Sequence, residues 1–313
     1  MGVFRVIIVA SISYYIFTHC DFKNLTTRIF LASLVSVYTS KRGYDKKSLS
    51  FSGSLSAIVV GFLTTVANLS SFVCLLTFFV TSSFFTKWRS DRKRLIEENF
   101  KEGGGRNMVQ VFCNGGMLSV ISLLFLSEVG YGERVINFSR DFTASCLLSS
   151  MLGTLACCNG DTWASEIGTV AAFMKPRLIT TWKKVPVGTN GGITLVGLCA
   201  SAFGGLILGF AFLLSLKLFV GSDTFDMETQ YHALRLTFYA GLFGSIVDSL
   251  LGAFFQYSGF CSLRKKVVSQ PSRTTEFISG SPVFDNDQVN LLSSLIMAVI
   301  TPIYAYYSWP KYD

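Results

Sequence analysis

Long apolar runs constrain this chain more than any other feature of its sequence. Each run is about 16 to 29 residues long and carries few charges. The hydrocarbon core of a bilayer is about 30 Å thick, and a helix of roughly 20 apolar residues crosses it. A helix also satisfies its own backbone hydrogen bonds where no water is present. The sequence therefore predicts an all-α, polytopic integral membrane protein with seven to nine transmembrane helices.

The overall composition points to the same class. Half of the 313 residues are hydrophobic and only 15% are charged, whereas soluble domains are about 25% charged. We expect one integral-membrane domain over residues 1–313, with an uncleaved first span rather than a signal peptide. The second and third spans are short and polar, so seven is the lower count. The candidate spans are 3–19, 25–40, 51–67, 70–86, 109–127, 141–158, 191–219, 233–257 and 289–307.

The basic residues predict an orientation. On the nine-span count, most of the 27 lysine and arginine residues fall on one face, in the linkers 41–47, 87–108, 159–190 and 258–288. Positive residues collect on the cytosolic side of membranes. The N-terminus is then cytosolic and the C-terminus lies outside. The net charge of +8 is explained by this asymmetry, and because no nucleic-acid-binding motif accompanies it, we expect no nucleic-acid partner.

Cysteine and histidine usage excludes several kinds of site. Most of the eight cysteines lie within apolar runs and none forms a CxxC pair. The two histidines, His19 and His232, are far in sequence from the acidic residues considered next. Zinc sites and histidine-dependent catalytic triads are therefore not expected.

Asp248 is the most unusual single residue, because it interrupts an otherwise apolar run. Intramembrane acids are rare and usually functional. Its neighbours at helical spacing are small or polar and share one face: Gly241, Gly244, Ser245, Gly252 and Gln256. A purely structural aspartate, bonded to a neighbouring helix, is the alternative.

A second acidic motif follows the sixth run. Asn159-Gly160-Asp161 begins it and Glu166 lies five residues after the aspartate. On one helix the two carboxylates would diverge by about 140°, so they need not share a ligand. The alternatives are a helix N-cap for Asp161 and a solvated first-turn acid for Glu166.

A glycine-rich segment opens the seventh run. It consists of Gly188, Thr189, Asn190, Gly191 and Gly192. Such a segment can turn backbone N–H groups toward an anion at a helix N-terminus. The nearby Lys183 and Lys184 would neutralise phosphate charge. A hinge or a close helix crossing is the alternative, and the motif is not a Walker A loop.

On the predicted topology these polar segments meet at one membrane face. Asn114 and Asn290 lie at the same face, near the starts of the fifth and ninth runs. We therefore expect a pocket between helices that opens to the cytosol. Carboxylates for Mg²⁺, backbone donors for phosphate and lysines for charge are the components of phosphoryl transfer.

The motifs resemble those of the transmembrane protein 19 family, in its animal branch. They are Asn159 to Glu166, Pro186 to Gly192, Asp248 to Ala253, Gln110 to Gly116, Val289 to Ser294 and Pro176 to Trp182. The resemblance covers about residues 51–310, the expected family core, whereas residues 1–50 match weakly.

This family includes plant chloroplast members described as phytyl-phosphate kinases. The resemblance implies a kinase that uses CTP or ATP with Mg²⁺ to phosphorylate a prenyl monophosphate or related lipid phosphate. Asp161 and Asp248 would hold the metal and Glu166 would assist. Residues Gly188 to Gly192 would bind phosphate, and Asn114 and Asn290 would orient groups. Because no plastid transit peptide is evident, we expect the endoplasmic reticulum or another endomembrane.

Two other functions fit the same residues. A transporter or lipid carrier also uses intramembrane acids, small-residue stripes and broken helices. Two similar halves of the chain would favour a transporter. The residues around Asp161 and those around Asp248 differ, so they do not indicate such a repeat. A non-catalytic regulatory membrane protein is the third possibility. It predicts that charge-neutral changes at the two aspartates leave the phenotype intact.

Overall fold

The computed structural model describes residues 24–96, 104–171, 175–220 and 225–310. Within these ranges the chain forms ten helices and five short strands. The helices are α1 (Leu25–Asp45), α2 (Phe51–Ala67), α3 (Leu69–Lys87), α4 (Ser90–Ile96), α5 (Met108–Glu128), α6 (Phe142–Val170), α7 (Leu195–Val220), α8 (Met227–Gln230), α9 (His232–Phe255) and α10 (Asn286–Ser308). The strands are β1 (Arg177–Leu178), β2 (Gly192–Ile193), β3 (Ser258–Cys261), β4 (Lys266–Val268) and β5 (Thr275–Ser279).

The predicted fold class is confirmed. Six helices of the described ranges are long and apolar enough to cross a membrane: α3, α5, α6, α7, α9 together with α8, and α10. Helix α2 is apolar but has 17 residues, and α1 is long but does not reach the same hydropathy. The predicted span 3–19 lies outside the described residues. The other eight predicted spans each coincide with a helix.

Helix α6 is the centre of the bundle, and α7, α9, α10 and α3 pack around it. Its side chains Leu148, Met151 and Leu155 are fully buried, and they belong to one core with Phe125 of α5 and Phe212 of α7. The part of α6 from Leu148 to Gly160 is therefore buried on all sides, and its residues are small or apolar except for Asn159.

Glycines allow α6, α7 and α9 to approach closely. A Cβ atom on Gly160 would lie 2.6 Å from the carbonyl oxygen of Gly241. A Cβ atom on Gly241 would lie 2.6 Å from the carbonyl oxygen of Ser201 and 2.9 Å from the Cα atom of Gly205. These positions therefore exclude side chains, and the small-residue face predicted for the eighth run packs against two helices.

Asn159 ties three helices together. It is fully buried, and its amide nitrogen donates to the carbonyl of Gly204 at 2.6 Å. Its side-chain oxygen accepts from Thr81 at 3.1 Å and from Ser82 at 3.2 Å. Polar groups inside a membrane are satisfied across helices in this way, so Asn159 joins α3, α6 and α7.

The sixth span is longer than its apolar run predicts. We expected the helix to end near residue 158, with the acidic motif in a linker, but α6 continues to Val170. Asp161 is therefore inside a helix, and the interpretation as an N-cap is wrong. The helix continues because Gly160 is used for packing against α9 rather than for a turn.

Two small sheets were not predicted. Strands β1 and β2 form an antiparallel pair, and β4-β3-β5 form an antiparallel three-stranded sheet. Both lie in linkers between predicted spans, and β2 displaces the start of the seventh helix from residue 191 to Leu195. The linker 87–108 contains α4, and its residues 97–103 lie outside the described ranges.

The bundle has two different ends, which follow from the helix directions. Helices α3, α6 and α9 finish at the end that carries the predicted cytosolic linkers, and α5, α7 and α10 begin there. We call it the cavity end. At the opposite end, which we call the closed end, the Arg28 guanidinium pairs with the Glu133 carboxylate at 2.6 Å, and both side chains are buried.

Candidate functional site

A cavity with a volume of about 660 Å³ opens at the cavity end. Side chains and backbone from α3, α5, α6, α7, α9 and α10 line it, together with the glycine-rich segment. Its size is within the range of small-molecule pockets. The predicted pocket between helices is therefore present.

Two aspartates face this cavity from neighbouring helices. Asp161 of α6 accepts a hydrogen bond from Ser245 at 3.4 Å, and Asp248 of α9 accepts one from Ser293 at 3.1 Å. The two carboxyl groups are close enough for their charges to interact when both are ionised. A carboxylate offers about four acceptor positions, so both aspartates retain capacity for a ligand.

The positions of these acids along their helices place them near a membrane boundary. At 1.5 Å per residue, Asp161 is about 28 Å from the start of α6 and Asp248 is about 24 Å from the start of α9. Glu166 is about 36 Å along α6, beyond a hydrocarbon core of about 30 Å. The cavity thus extends from the membrane edge into the polar layer.

Glu166 has a cationic partner that the sequence did not reveal. The Lys93 ammonium group of α4 forms an ion pair with its carboxylate. Lys93 also donates to the carbonyls of Phe85 at 2.5 Å and Thr86 at 3.0 Å, so its three N–H donors are all used. Glu166 is therefore held in a fixed position at the cavity wall.

The glycine-rich segment, residues 188–192, forms a tight turn against the last turns of α9. Gly188 and Gly191 have φ angles of +90° and +75°, which other residues adopt at a cost. The N–H groups of Thr189, Asn190 and Gly192 donate to Pro186, Ser258 and Thr189, respectively. An anion nest in this segment is therefore limited to the N–H groups of Gly188 and Gly191.

Three helix N-termini meet at the cavity. Gln110 and Asn114 of α5, Gly197 and Leu198 of α7, and Asn290 of α10 all line it. Each N-terminus is defined by a cap: Asn107 and Asp285 form capping boxes, and Thr194 accepts from the Gly197 N–H at 3.0 Å. Because a helix N-terminus carries partial positive charge, three together favour an anion.

Most predicted site residues converge here. Asp161, Glu166, Asp248, Asn114, Asn290 and residues Gly188 to Gly192 line the cavity. Lys183 and Lys184 do not. They are exposed beside the turn after β1, where the Lys183 carbonyl accepts from the Leu178 N–H, and this turn carries them away from the cavity.

The cationic side chains of Lys93 and Arg106 also line the cavity. The sequence identifies them only as members of the basic linker 87–108. A run of basic residues predicts a net positive charge for the linker, but it does not show which of the side chains face the cavity. Arg106 precedes the α5 cap, and burial lowers the pKa of its guanidinium group below the usual value. Asp285 and Asp287 also line the cavity, at the start of α10.

The side chains around the cavity limit the kind of Mg²⁺ site that could form there. Within the described ranges no group of three or more histidine, cysteine or acidic side chains could enclose an ion. Mg²⁺ is commonly held by one or two carboxylates, with water and substrate phosphates as further ligands. The Asp161 and Asp248 pair fits this second arrangement and not a closed, all-protein site.

Taken together, the fold and the cavity define a multi-pass membrane protein with a charged ligand pocket at one end of its helix bundle. The chain belongs to the family described as integral membrane protein DUF92, whose model matches residues 34–298.

Three curated relatives of this chain come from a plant and an archaeon. Protein PGR of Arabidopsis thaliana is 41% identical over 281 residues, which cover 90% of this chain and 97% of that protein. An uncharacterized membrane protein of Methanocaldococcus jannaschii is 23% identical over 87% of this chain and 92% of its own. Protein VTE6, chloroplastic, of Arabidopsis thaliana is 32% identical over 225 residues, or 71% of this chain and 61% of that protein. No solved structure matches this chain.

Proposed function

We propose that this protein is a nucleotide- and Mg²⁺-dependent kinase that phosphorylates a prenyl monophosphate or a related lipid phosphate. The observation that carries the proposal is the cavity itself, which combines the Asp161 and Asp248 carboxylates with three helix N-termini at a membrane edge. Carboxylates suit a divalent cation, and helix N-termini suit phosphate. A ligand with both phosphate and an apolar part matches this position. The resemblance to a family with phytyl-phosphate kinases supports the acceptor class.

The proposed reaction moves one phosphoryl group. An oxygen of the acceptor phosphate attacks the γ-phosphorus of a nucleoside triphosphate, the bond to the bridging oxygen breaks, and a nucleoside diphosphate leaves. Asp161 and Asp248 would hold Mg²⁺, which neutralises charge on the phosphates when bound. Catalysis of this kind depends on positioning and electrostatic stabilisation.

The other cavity residues have positioning roles in this proposal. Glu166, fixed by Lys93, faces the same space as the aspartates and would orient the acceptor. The N–H groups of Gly188 and Gly191 and the N-terminus of α7 would contact phosphate oxygens. Asn114 and Asn290 offer side-chain amides from α5 and α10.

The test is direct measurement of phosphoryl transfer. Purified protein in detergent with Mg²⁺ is given labelled CTP or ATP and a panel of prenyl monophosphates. We expect a prenyl diphosphate product from the parent protein and from Asp45→Asn, an exposed acid at the end of α1, but none from Asp161→Asn or Asp248→Asn. Absence of product with both donors, from folded protein, would overturn the kinase proposal, and full activity of either aspartate variant would overturn the metal assignment.

The proposal also keeps the predicted topology, with the cavity end in the cytosol, the C-terminus on the other side and an endomembrane location. Nucleoside triphosphates are available on the cytosolic side. The exposed Glu276 of β5 provides a reporter in sealed vesicles of known orientation. A Glu276→Cys variant should react with an impermeant maleimide only from the cytosolic side, with the parent protein as the background. Reaction from the luminal side alone would reverse the topology.

A further inference from the structure

A second, smaller cleft lies between α1, α2, α3 and α5. It has a volume of about 80 Å³. Its walls are mainly apolar and include Ala57, Val60, Leu76, Phe79 and Val111. The cleft is in the part of the bundle where the helices face lipid, since neighbouring side chains on the same helices are exposed, such as Leu55 on α2 and Val80 on α3.

The two cavities share a wall. Arg106, Gln110 and Asn114 line both the large polar cavity and the small apolar cleft. The first turns of α5 are therefore the boundary between a polar compartment and an apolar one. A ligand with a polar head and an apolar chain could contact both compartments at once.

Arg106 is the charged group at this boundary. Its guanidinium donates to Ser83 at 3.0 Å and lies 6.0 Å from the ring centroid of Phe79. Two ion pairs occur among the described residues, Arg28 with Glu133 and Lys93 with Glu166, and Arg106 belongs to neither. Guanidinium has five N–H donors, and a half-buried cation is stabilised by a bound anion. The planar guanidinium fork matches the geometry of phosphate and carboxylate groups.

We infer that the apolar cleft holds the part of the hydrocarbon chain of a single-chain lipid phosphate that lies next to the phosphate, while the rest of the chain extends into the bilayer, and that Arg106 binds the phosphate group at the entrance to the polar cavity. This inference rests on the proposed function, whose acceptor it places within the fold. The chain lies between α2, α3 and α5 and its head points toward Asp161 and Asp248. A cleft of about 80 Å³ has space for a few methylene groups, so only the start of one chain enters it.

Photochemical cross-linking tests the position of the chain without requiring turnover. The probe is farnesyl monophosphate with a diazirine on its chain, added to the full-length protein in phosphatidylcholine nanodiscs. We expect cross-links at cleft residues such as Ala57, Leu76 and Val111, suppressed by unlabelled farnesyl monophosphate and not by inorganic phosphate. Cross-links at lipid-facing residues such as Leu55 and Val80 alone would mean that the chain lies in bulk lipid, and would overturn the inference.

Charge variants test the head group. Arg106→Gln should weaken the binding of radiolabelled farnesyl monophosphate at least tenfold and leave the binding of farnesol unchanged, whereas Arg106→Lys should restore part of the loss. Arg42→Gln, an exposed change on α1, should have no effect. Equal losses for the phosphate and the alcohol would show that Arg106 is only structural, and no loss would remove it from the site.

A steric pair tests the cleft itself. Ala57→Phe should fill the cleft and lower the affinity for farnesyl monophosphate at least tenfold, without changing that for inorganic phosphate, which has no chain. Leu55→Phe on the lipid-facing side of the same helix is the matched control. Unchanged farnesyl binding in folded Ala57→Phe protein would overturn the inference. Because all three measurements report binding, they can succeed if the kinase assay fails, and they can fail if it succeeds.

Discussion

Two acidic sites, one at each end of the bundle, differ in how fully their hydrogen bonds are satisfied. At the closed end, Glu133 accepts from the Arg28 guanidinium, from the N–H groups of Leu69 and Ser70, and from the Ser70 hydroxyl, at 2.6 to 3.0 Å. At the cavity end, Asp161 and Asp248 each accept one serine hydroxyl. Glu133 also lies at the N-terminus of α3, where the helix dipole favours it.

The difference separates a structural acid from an acid that is available to a ligand. Glu133 cross-links α1, α3 and the 129–141 connection, and its acceptor positions are used. The two aspartates face a cavity of about 660 Å³ and have acceptor positions left. A buried charge is stable when it is paired and costly when it is not, so a cation bound at the cavity end would stabilise it, whereas the charge of Glu133 is already paired.

The largest expected effect is the loss of phosphoryl transfer on neutralising either cavity aspartate. We expect Asp248→Asn to reduce the rate at least about 100-fold, which exceeds the 10- to 100-fold typical of residues behind a metal ligand. The thermal midpoint should stay the same or rise, because a repulsive charge near Asp161 is removed. The assay is initial-rate transfer beside thermal denaturation in detergent. A fall in both activity and stability would place Asp248 with the structural acids.

The opposite pattern is expected at the closed end. Glu133→Gln removes the negative charge that pairs with Arg28 and should lower the free energy of unfolding by about 3–5 kcal/mol. Activity per folded molecule should be retained. The exposed Glu128→Gln is the matched control. In a double-mutant cycle, Arg28→Met with Glu133→Met should recover most of the loss, and additive losses would argue against a direct interaction.

Asn159 tests whether neighbours of the cavity are part of it. Asn159→Ala removes three side-chain hydrogen bonds among α3, α6 and α7. Buried partners left unsatisfied cost about 1–3 kcal/mol, so we expect that loss of stability, measured by denaturation. The KM values for both substrates should not change. A large rise in KM at unchanged stability would make Asn159 a binding residue.

The smallest effects distinguish two glycines. Gly191→Ala puts a Cβ atom at a φ of +75° and 2.7 Å from the carbonyl oxygen of Ser249. The left-handed conformation alone costs about 1–2 kcal/mol, and displacement of the turn should also lower activity. Gly116→Ala has open space around it and should stabilise α5 by about 0.5–1 kcal/mol. Equal effects at both positions would mean that the turn geometry is unimportant.

The sequence predicted much of this architecture because lipid leaves few choices to the backbone. Apolar runs of sufficient length form helices, and eight of the nine predicted spans coincide with described helices. The ends were less predictable. The acidic motif was assigned to a linker, because charge normally marks the end of a span, yet α6 carries Asp161 and Glu166 within the helix. Packing against Gly241 keeps Gly160 helical.

Part of the candidate site was also predictable. Intramembrane acids and glycine-rich starts of apolar runs are unusual enough to be noticed, and alternation of the spans brings them to one face. Lys93 and Arg106 were not identified, because a basic linker looks the same whether its side chains face water or turn inward. Lys183 and Lys184 were predicted to bind phosphate because they are near the glycines in sequence. The turn after β1 separates them from the cavity.

By itself, the sequence determined the class of protein, the order of its spans and the acids that face one end, since these depend on local hydrophobicity and helical period. The tertiary structure decided which charges are paired. Glu133 accepts four hydrogen bonds and Asp248 accepts one. These numbers depend on donor groups that are far apart in the chain. Those groups meet only when the helices pack, so the difference between a structural acid and a candidate ligand could be seen only in the folded bundle.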